Sequence, residues 1–124
     1  LENVRLWQGD AREMIARVPD ASLARVFIMF PDPWQKARHN KRRLVQAPFV
    51  AELARVIAPG GHLRFATDWA DYAQQTAALL SETPQFVLAD DRDPSDAPAD
   101  HVTTRYEEKK LGDIAPVWFD WVRR

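Results

Sequence analysis

No cysteine occurs in the 124 residues. Disulfides, thiolate metal sites and cysteine nucleophiles are therefore excluded. Histidines are few and scattered: His39, His62 and His101 have no partners at metal-ligand spacing, so no metal centre is expected. Only four glycines are present, and they form neither a phosphate-cradling loop nor a Gly-x-Ser-x-Gly elbow. No apolar run approaches membrane-span length and no signal-peptide pattern precedes the first strand-like stretch, so a cytoplasmic protein is the expectation. Charge of one sign is lacking as well. The net charge of −1 gives no global attraction to nucleic acid, and any such preference has to come from local clustering.

Clustering is present. Lys36, Arg38, Lys41, Arg42 and Arg43 fall within eight positions. They follow an apolar run, Val26-Phe27-Ile28-Met29-Phe30, which reads as a strand buried on both faces of a parallel sheet. The run stops at Pro31-Asp32-Pro33. Each proline fixes its own φ and biases the residue before it to extended geometry, so Asp32 is expected on a stiff, non-helical spur. Trp34 adds a π-face. A carboxylate, an aromatic ring and a cationic patch at a strand end are the parts needed to hold a flat base on a phosphate chain. Taken separately, an apolar strand before Pro-Asp-Pro is ordinary turn chemistry, and a basic run is ordinarily a solvated face.

The rest of the chain alternates between the two periods. Val4 to Trp7 reads as a strand, ended by Gly9-Asp10. Asp10 suits the N-cap of a helix whose face is Ala11, Met14, Ile15 and Val18. Pro48 opens a second helix with Phe49, Val50, Leu53, Val56 and Ile57 inward, and Pro59-Gly60-Gly61 is expected to stop it before a strand over His62 to Ala66. Thr67-Asp68 is expected to cap a third helix with Trp69, Tyr72, Ala73, Thr76, Leu79 and Leu80 inward. Phe86 to Leu88 and Val117 to Val122 read as strands, with Trp7, Trp118 and Trp121 in the core. Asp90 to Asp100 holds five acids and two prolines, which predicts a mobile segment. Residues 1–124 make one α/β domain, three-layered with a mostly parallel sheet. Asp10, Asp32 and Asp68 each end a strand, and ligands of open α/β sheets bind at the carboxyl ends.

The block Phe30-Pro31-Asp32-Pro33-Trp34 with Arg38-His39-Asn40-Lys41-Arg42-Arg43 resembles the corresponding block of the bacterial tRNA (guanine-N7)-methyltransferases. Asn3 to Ala11, Pro59 to Gly61, Phe65 to Trp69 and Thr104-Arg105-Tyr106-Glu107 are similar to further motifs of that family. The resemblance implies a class I, Rossmann-like methyltransferase fold that uses S-adenosylmethionine and acts on tRNA. It implies that Asp10 and Asp32 border the cofactor, with Asp32 the active-site acid. It further implies that Lys36, Asp68, Thr104, Arg105, Tyr106 and Glu107 contact substrate, and that Arg38, His39, Asn40, Lys41, Arg42 and Arg43 lie along the RNA. The family's glycine-rich turn and second acidic strand end have no counterpart here. The chain also starts at Leu1 rather than Met, almost within a strand. Both features lead to the expectation that this polypeptide either self-associates through an exposed sheet edge or is part of something longer, and that it binds S-adenosylmethionine poorly alone. Two other readings stay open: a non-catalytic RNA-binding module, and a methyltransferase for another nucleobase atom.

Overall fold

The computed structural model describes residues 2–124. Four strands form one sheet in the order β1-β2-β4-β3, where β1 is Leu23–Met29, β2 Ile57–Thr67, β3 Phe86–Leu88 and β4 Val117–Arg123. β1 and β2 pair in parallel, from Val26 opposite Leu63 to Met29 opposite Ala66. β4 is antiparallel to both β2 and β3, so the other three strands share one direction and β4 alone is reversed. The expectation of a mostly parallel sheet holds for strand direction, but only one hydrogen-bonded pair is parallel.

Helices α1 (Ala11–Ala16), α2 (Ala47–Val56) and α3 (Ala70–Ser81) supply the layer on one face. Ile15, Phe49, Val50, Leu53, Tyr72 and Leu80 form one core cluster with Ile28, Leu63, Phe65 and Trp121. These four strand residues point to the same side, as the period of two requires. The opposite face carries Arg25, Phe27, His62, Arg64 and Asp120. No helix covers it among the described residues; the segment after β3 leans across it instead. Arg92 and Asp100 from that segment pair with Asp120 and Arg64 at 2.6 and 3.0 Å. Trp118 N–H donates to Pro94 O at 2.9 Å. Composition alone suggested a mobile Asp90 to Asp100. The structure gives that stretch no helix or strand but pins it to β2 and β4 through pairs that are distant in sequence.

Three local expectations are corrected. Val4 to Trp7 is not a strand: a strand needs a ladder partner, and none lies beside it among the described residues. Trp7 is correspondingly 41% exposed rather than in the core, its ring faced by the Arg17 guanidinium. Pro59-Gly60-Gly61 does not separate helix from strand. β2 starts at Ile57 directly after α2, and the tripeptide swells into an irregularity between Leu23–Ile57 and Arg25–His62. Gly60 takes φ +85° there, a left-handed turn that suits glycine. Finally, β1 is an edge strand open on one face, with Phe27 52% exposed, rather than buried on both.

Candidate active site

β1 and β2 run in parallel, so their carboxyl ends open on one rim. β4 is antiparallel and begins there, with Val117 opposite Thr67. The segment preceding β4 is therefore delivered to the same rim. This is how residues 104–116, remote in sequence from Phe30 and Asp68, come to lie beside them.

Beyond β1 the chain turns sharply. Phe30 and Trp34, at either side of Pro31-Asp32-Pro33, both adopt positive φ, 54° and 43°. Such conformations cost a side chain with a Cβ about 1–2 kcal/mol each and persist only where neighbours hold them. Phe30 N–H donates to Ala66 O at 2.8 Å, and its ring lies 5.2 Å from that of Tyr106. Trp34 N–H donates to Asp32 Oδ1 at 3.0 Å, an Asx turn. The expected stiff spur is thus formed. Asp32 is exposed on it, with one oxygen committed to Trp34 and the other unengaged among the described residues.

Asp68, at the end of β2, is 4% exposed. Its carbonyl accepts from Ile114 N–H at 3.2 Å. Tyr106 Oη lies 3.5 Å from Oδ1 of the same residue. Burial first, then the Asp68 carboxylate beside it and Asp32 further off, hold the Tyr106 phenol above its usual range. Asp68 does not cap α3 as expected: Asp113 Oδ1 accepts from Ala70 N–H at 2.9 Å, while Thr67 Oγ1 accepts from Trp69 N–H. A cavity of about 450 Å³ opens between Asp68, Glu107, Lys110, Gly112 and Asp113.

Thr104-Arg105-Tyr106-Glu107 forms the first turn of the short helix α4 (Arg105–Glu108). Thr104 is its N-cap, with Oγ1 accepting from Glu107 N–H at 3.2 Å. Arg105 points to solvent. Glu107 is buried, 8% exposed, and His101 Nε2 straddles its carboxylate at 2.8 and 3.1 Å. The motif therefore brings Tyr106 and Glu107 to Asp68, and Thr104 serves the helix.

The basic block coils into a 3-10 helix over Ala37–Arg42. Arg38, Lys41, Arg42 and the preceding Lys36 are exposed, and His39 and Asn40 half-buried. Arg42 lies over the Trp34 ring at 5.2 Å, with the His39 ring 6.0 Å from that of Trp34. Asp32, Trp34, Lys36 and His39 line a shallow recess of about 280 Å³. Arg43 departs from the expectation for the block: it is 1% exposed and faces inward. Sequence reasoning placed it with its neighbours because a basic run carries no sign of which member turns in.

Asp10 caps α1, accepting from Arg12 N–H at 2.9 Å and from the Arg12 guanidinium at 3.1 Å. Those bonds hold its carboxyl below the usual range. No hydrogen bond or ion pair joins it to Asp32 among the described residues. Sequence reasoning missed Tyr72, Gln75, Gly112 and Asp113 as site-building residues. Only Gly112-Asp113, a turn-type pair, gave any local signal.

A family described as "Putative methyltransferase" matches residues 1–118. A tRNA (guanine-N(7)-)-methyltransferase of Caulobacter sp. (strain K31) is 65% identical over 124 residues, 99% of this chain and 55% of the relative. One of Hyphomonas neptunium is 51% identical over 123 residues, 98% of this chain and 56% of the relative. The chain thus spans about half the length of the curated relatives it matches. A solved structure described as a DNA modification methylase of Thermus thermophilus superposes with a TM-score of 0.51 at 18% identity, over 94% of this chain and 50% of that one, a likeness of fold. With its sheet, rim and family match in agreement, the chain belongs to the methyltransferase family so described.

Proposed function

We propose that this chain is the catalytic and RNA-facing part of an S-adenosylmethionine-dependent enzyme that methylates N7 of guanine in tRNA. The observation that carries the reading is the convergence at one rim of Asp32, Asp68 and the Phe30–Tyr106 ring pair, next to the Trp34 recess and its exposed cations. The exposed Asp32 carboxylate suits the cationic sulfonium end of the cofactor. Asp10, already bonded to Arg12, offers it less, and no described glycine turn suits the remainder. The fit is therefore to one end of the group.

When bound, the cofactor supplies an electrophilic methyl group. Guanine N7 carries its own lone pair, so the protein needs no strong general base. Its task is to hold N7 in line and exclude other orientations. Positive charge passes from the sulfonium to the purine during transfer, and a carboxylate at the Asp32 position favours the transition state to the extent that it lies closer to the purine than to the sulfur. Asp32, Asp68 and Glu107 are acceptors suited to the N–H groups of the guanine Watson–Crick edge, and Arg38, Lys41 and Arg42 to phosphates.

The test uses a chimera in which this chain replaces the matching residues of the Caulobacter relative. Asp32→Asn should lower kcat for tRNA methylation by a factor on the order of 10² to 10³, as expected for loss of a transition-state charge partner. Near-normal turnover would remove Asp32 from the chemistry. For the chain alone, the commitment of Asp10 to Arg12 favours a second reading, an RNA-docking module without turnover. Titration with S-adenosylmethionine separates the two, since saturable micromolar binding excludes the second.

A further inference from the structure

We propose that Arg43 is a positioning residue that holds the Asp32 spur in place, and not a phosphate contact. The inference rests on the reading of Asp32 as the acid beside the reacting base. It starts from a contrast within the basic block: Arg38, Lys41 and Arg42 stand in solvent, whereas the Arg43 side chain is 1% exposed. A guanidinium that far inside cannot meet a phosphate without opening the fold. Taking it out of water is expensive unless its N–H groups are met.

They are met at all three nitrogens. Nε donates to Pro33 O at 2.6 Å, one terminal nitrogen to Gln75 Oε1 at 2.7 Å, and the other to Asp71 Oδ2 at 3.0 Å. The guanidinium also lies 4.8 Å from the centre of the Tyr72 ring. The three side-chain partners come from the first turns of α3. The fourth partner is the carbonyl between Asp32 and Trp34, in the stretch bounded by the two left-handed residues. Arg43 thus ties the strained spur to a rigid helix.

The tether is reinforced on its far side. Gln75 Nε2 donates to Val45 O at 3.1 Å, and Tyr72 Oη accepts from Val45 N–H at 3.1 Å. Residues 43–45 are in this way strapped along α3. The geometry also explains the choice of residue. Three acceptors in different directions around one planar fork suit arginine, and a lysine ammonium at that depth could not span them.

The chain carries five tryptophans, so the test labels it with 5-fluorotryptophan and follows the Trp34 fluorine resonance. Asp71→Asn leaves the core intact, because Asp71 is 61% exposed, yet weakens the outer anchor of Arg43. It should shift the Trp34 line while Trp118 and Trp121 stay in place. In tRNA binding, Lys41→Ala should flatten the dependence of log K on log salt by about one counterion, and Arg43→Gln should leave that slope unchanged. In the chimera, Asp71→Asn and Arg43→Lys should lower kcat, Arg43→Lys by up to about 10²-fold, with KM for tRNA unmoved. A stationary Trp34 line in Asp71→Asn overturns the proposal whatever the other data show. So does an Arg43→Gln slope reduced by as much as that of Lys41→Ala. A parent chimera that fails to methylate tRNA would instead refute the proposed function, while the Trp34 line still decides the role of Arg43.

Discussion

Gly112 sits against Asp68 so closely that a Cβ there would collide with the carbonyl oxygen, Cβ and Cγ of Asp68. Gly112→Ala therefore forces one of two movements. Asp68 leaves the cavity, or residues 112–114 lift from it. The second route breaks Ile114 N–H to Asp68 O, at 3.2 Å, and the Asp113 cap on Ala70 N–H, at 2.9 Å. A helix N-cap contributes about 1 kcal/mol and a backbone hydrogen bond about 0.5–1.5 kcal/mol, so the variant should lose about 1.5–2.5 kcal/mol. With an unfolding entropy of about 2.1 cal/mol/K per residue, each kcal/mol lowers Tm by about 4 °C for a chain of this size, which sets the expected fall at about 6–10 °C. Asp113→Ala, which removes only the cap, should lower Tm by about 4 °C by the same conversion. Differential scanning calorimetry on both variants reads the difference. A Gly112→Ala melting within a degree of the parent would mean that the loop does not rest on Asp68, and the cavity as described would not exist.

Two further outcomes follow from the same structure. The chain has only two tyrosines, and both are held above the usual phenol range, Tyr72 chiefly by burial and Tyr106 by burial and Asp68. Ultraviolet titration should therefore show no tyrosine ionising within the ordinary phenol range. Because the folded pKa values are raised, the tyrosines' contribution to stability is full below the ordinary phenol range and is lost as pH rises through the folded values, more shallowly in Tyr72→Phe. Separately, β1 presents an edge that is unpaired among the described residues, with Phe27 exposed beside it, and an edge of this kind is a template for pairing with another strand. Analytical ultracentrifugation of the isolated chain should show species heavier than 14.3 kDa, fewer in Phe27→Lys, and a purely monomeric parent would contradict the edge argument.

Much of the site was legible because its signals are local. Two prolines around Asp32 set the spur, and the apolar periods located β1, α2, α3 and β4. What escaped was long-range. Whether Val4 to Trp7 forms a strand depends on a neighbour and not on its own alternation. The inward turn of Arg43 depends on Asp71 and Gln75, about thirty residues on, and nothing in Lys41-Arg42-Arg43 distinguishes the third member. The tethering of Asp90 to Asp100 likewise depends on Arg64 and Asp120. His101 looked solitary because its partner, Glu107, becomes adjacent only when α4 forms. Gly60 and Gly61 read as a helix stop because the sequence does not show that β2 can carry an irregularity and continue.

The proposed function requires that the rim built by Asp32, Asp68 and Glu107 present guanine N7, and no other atom, to a methyl donor. The direct measurement is to incubate the chimera with unmodified tRNA and isotopically labelled S-adenosylmethionine, then identify the labelled nucleoside by mass spectrometry and locate it by cleavage chemistry specific for 7-methylguanosine. All label is expected in 7-methylguanosine, with its rate of incorporation lower by a factor on the order of 10² to 10³ in Asp32→Asn. Label on an exocyclic amine, or undiminished 7-methylguanosine in Asp32→Asn, would contradict the proposal.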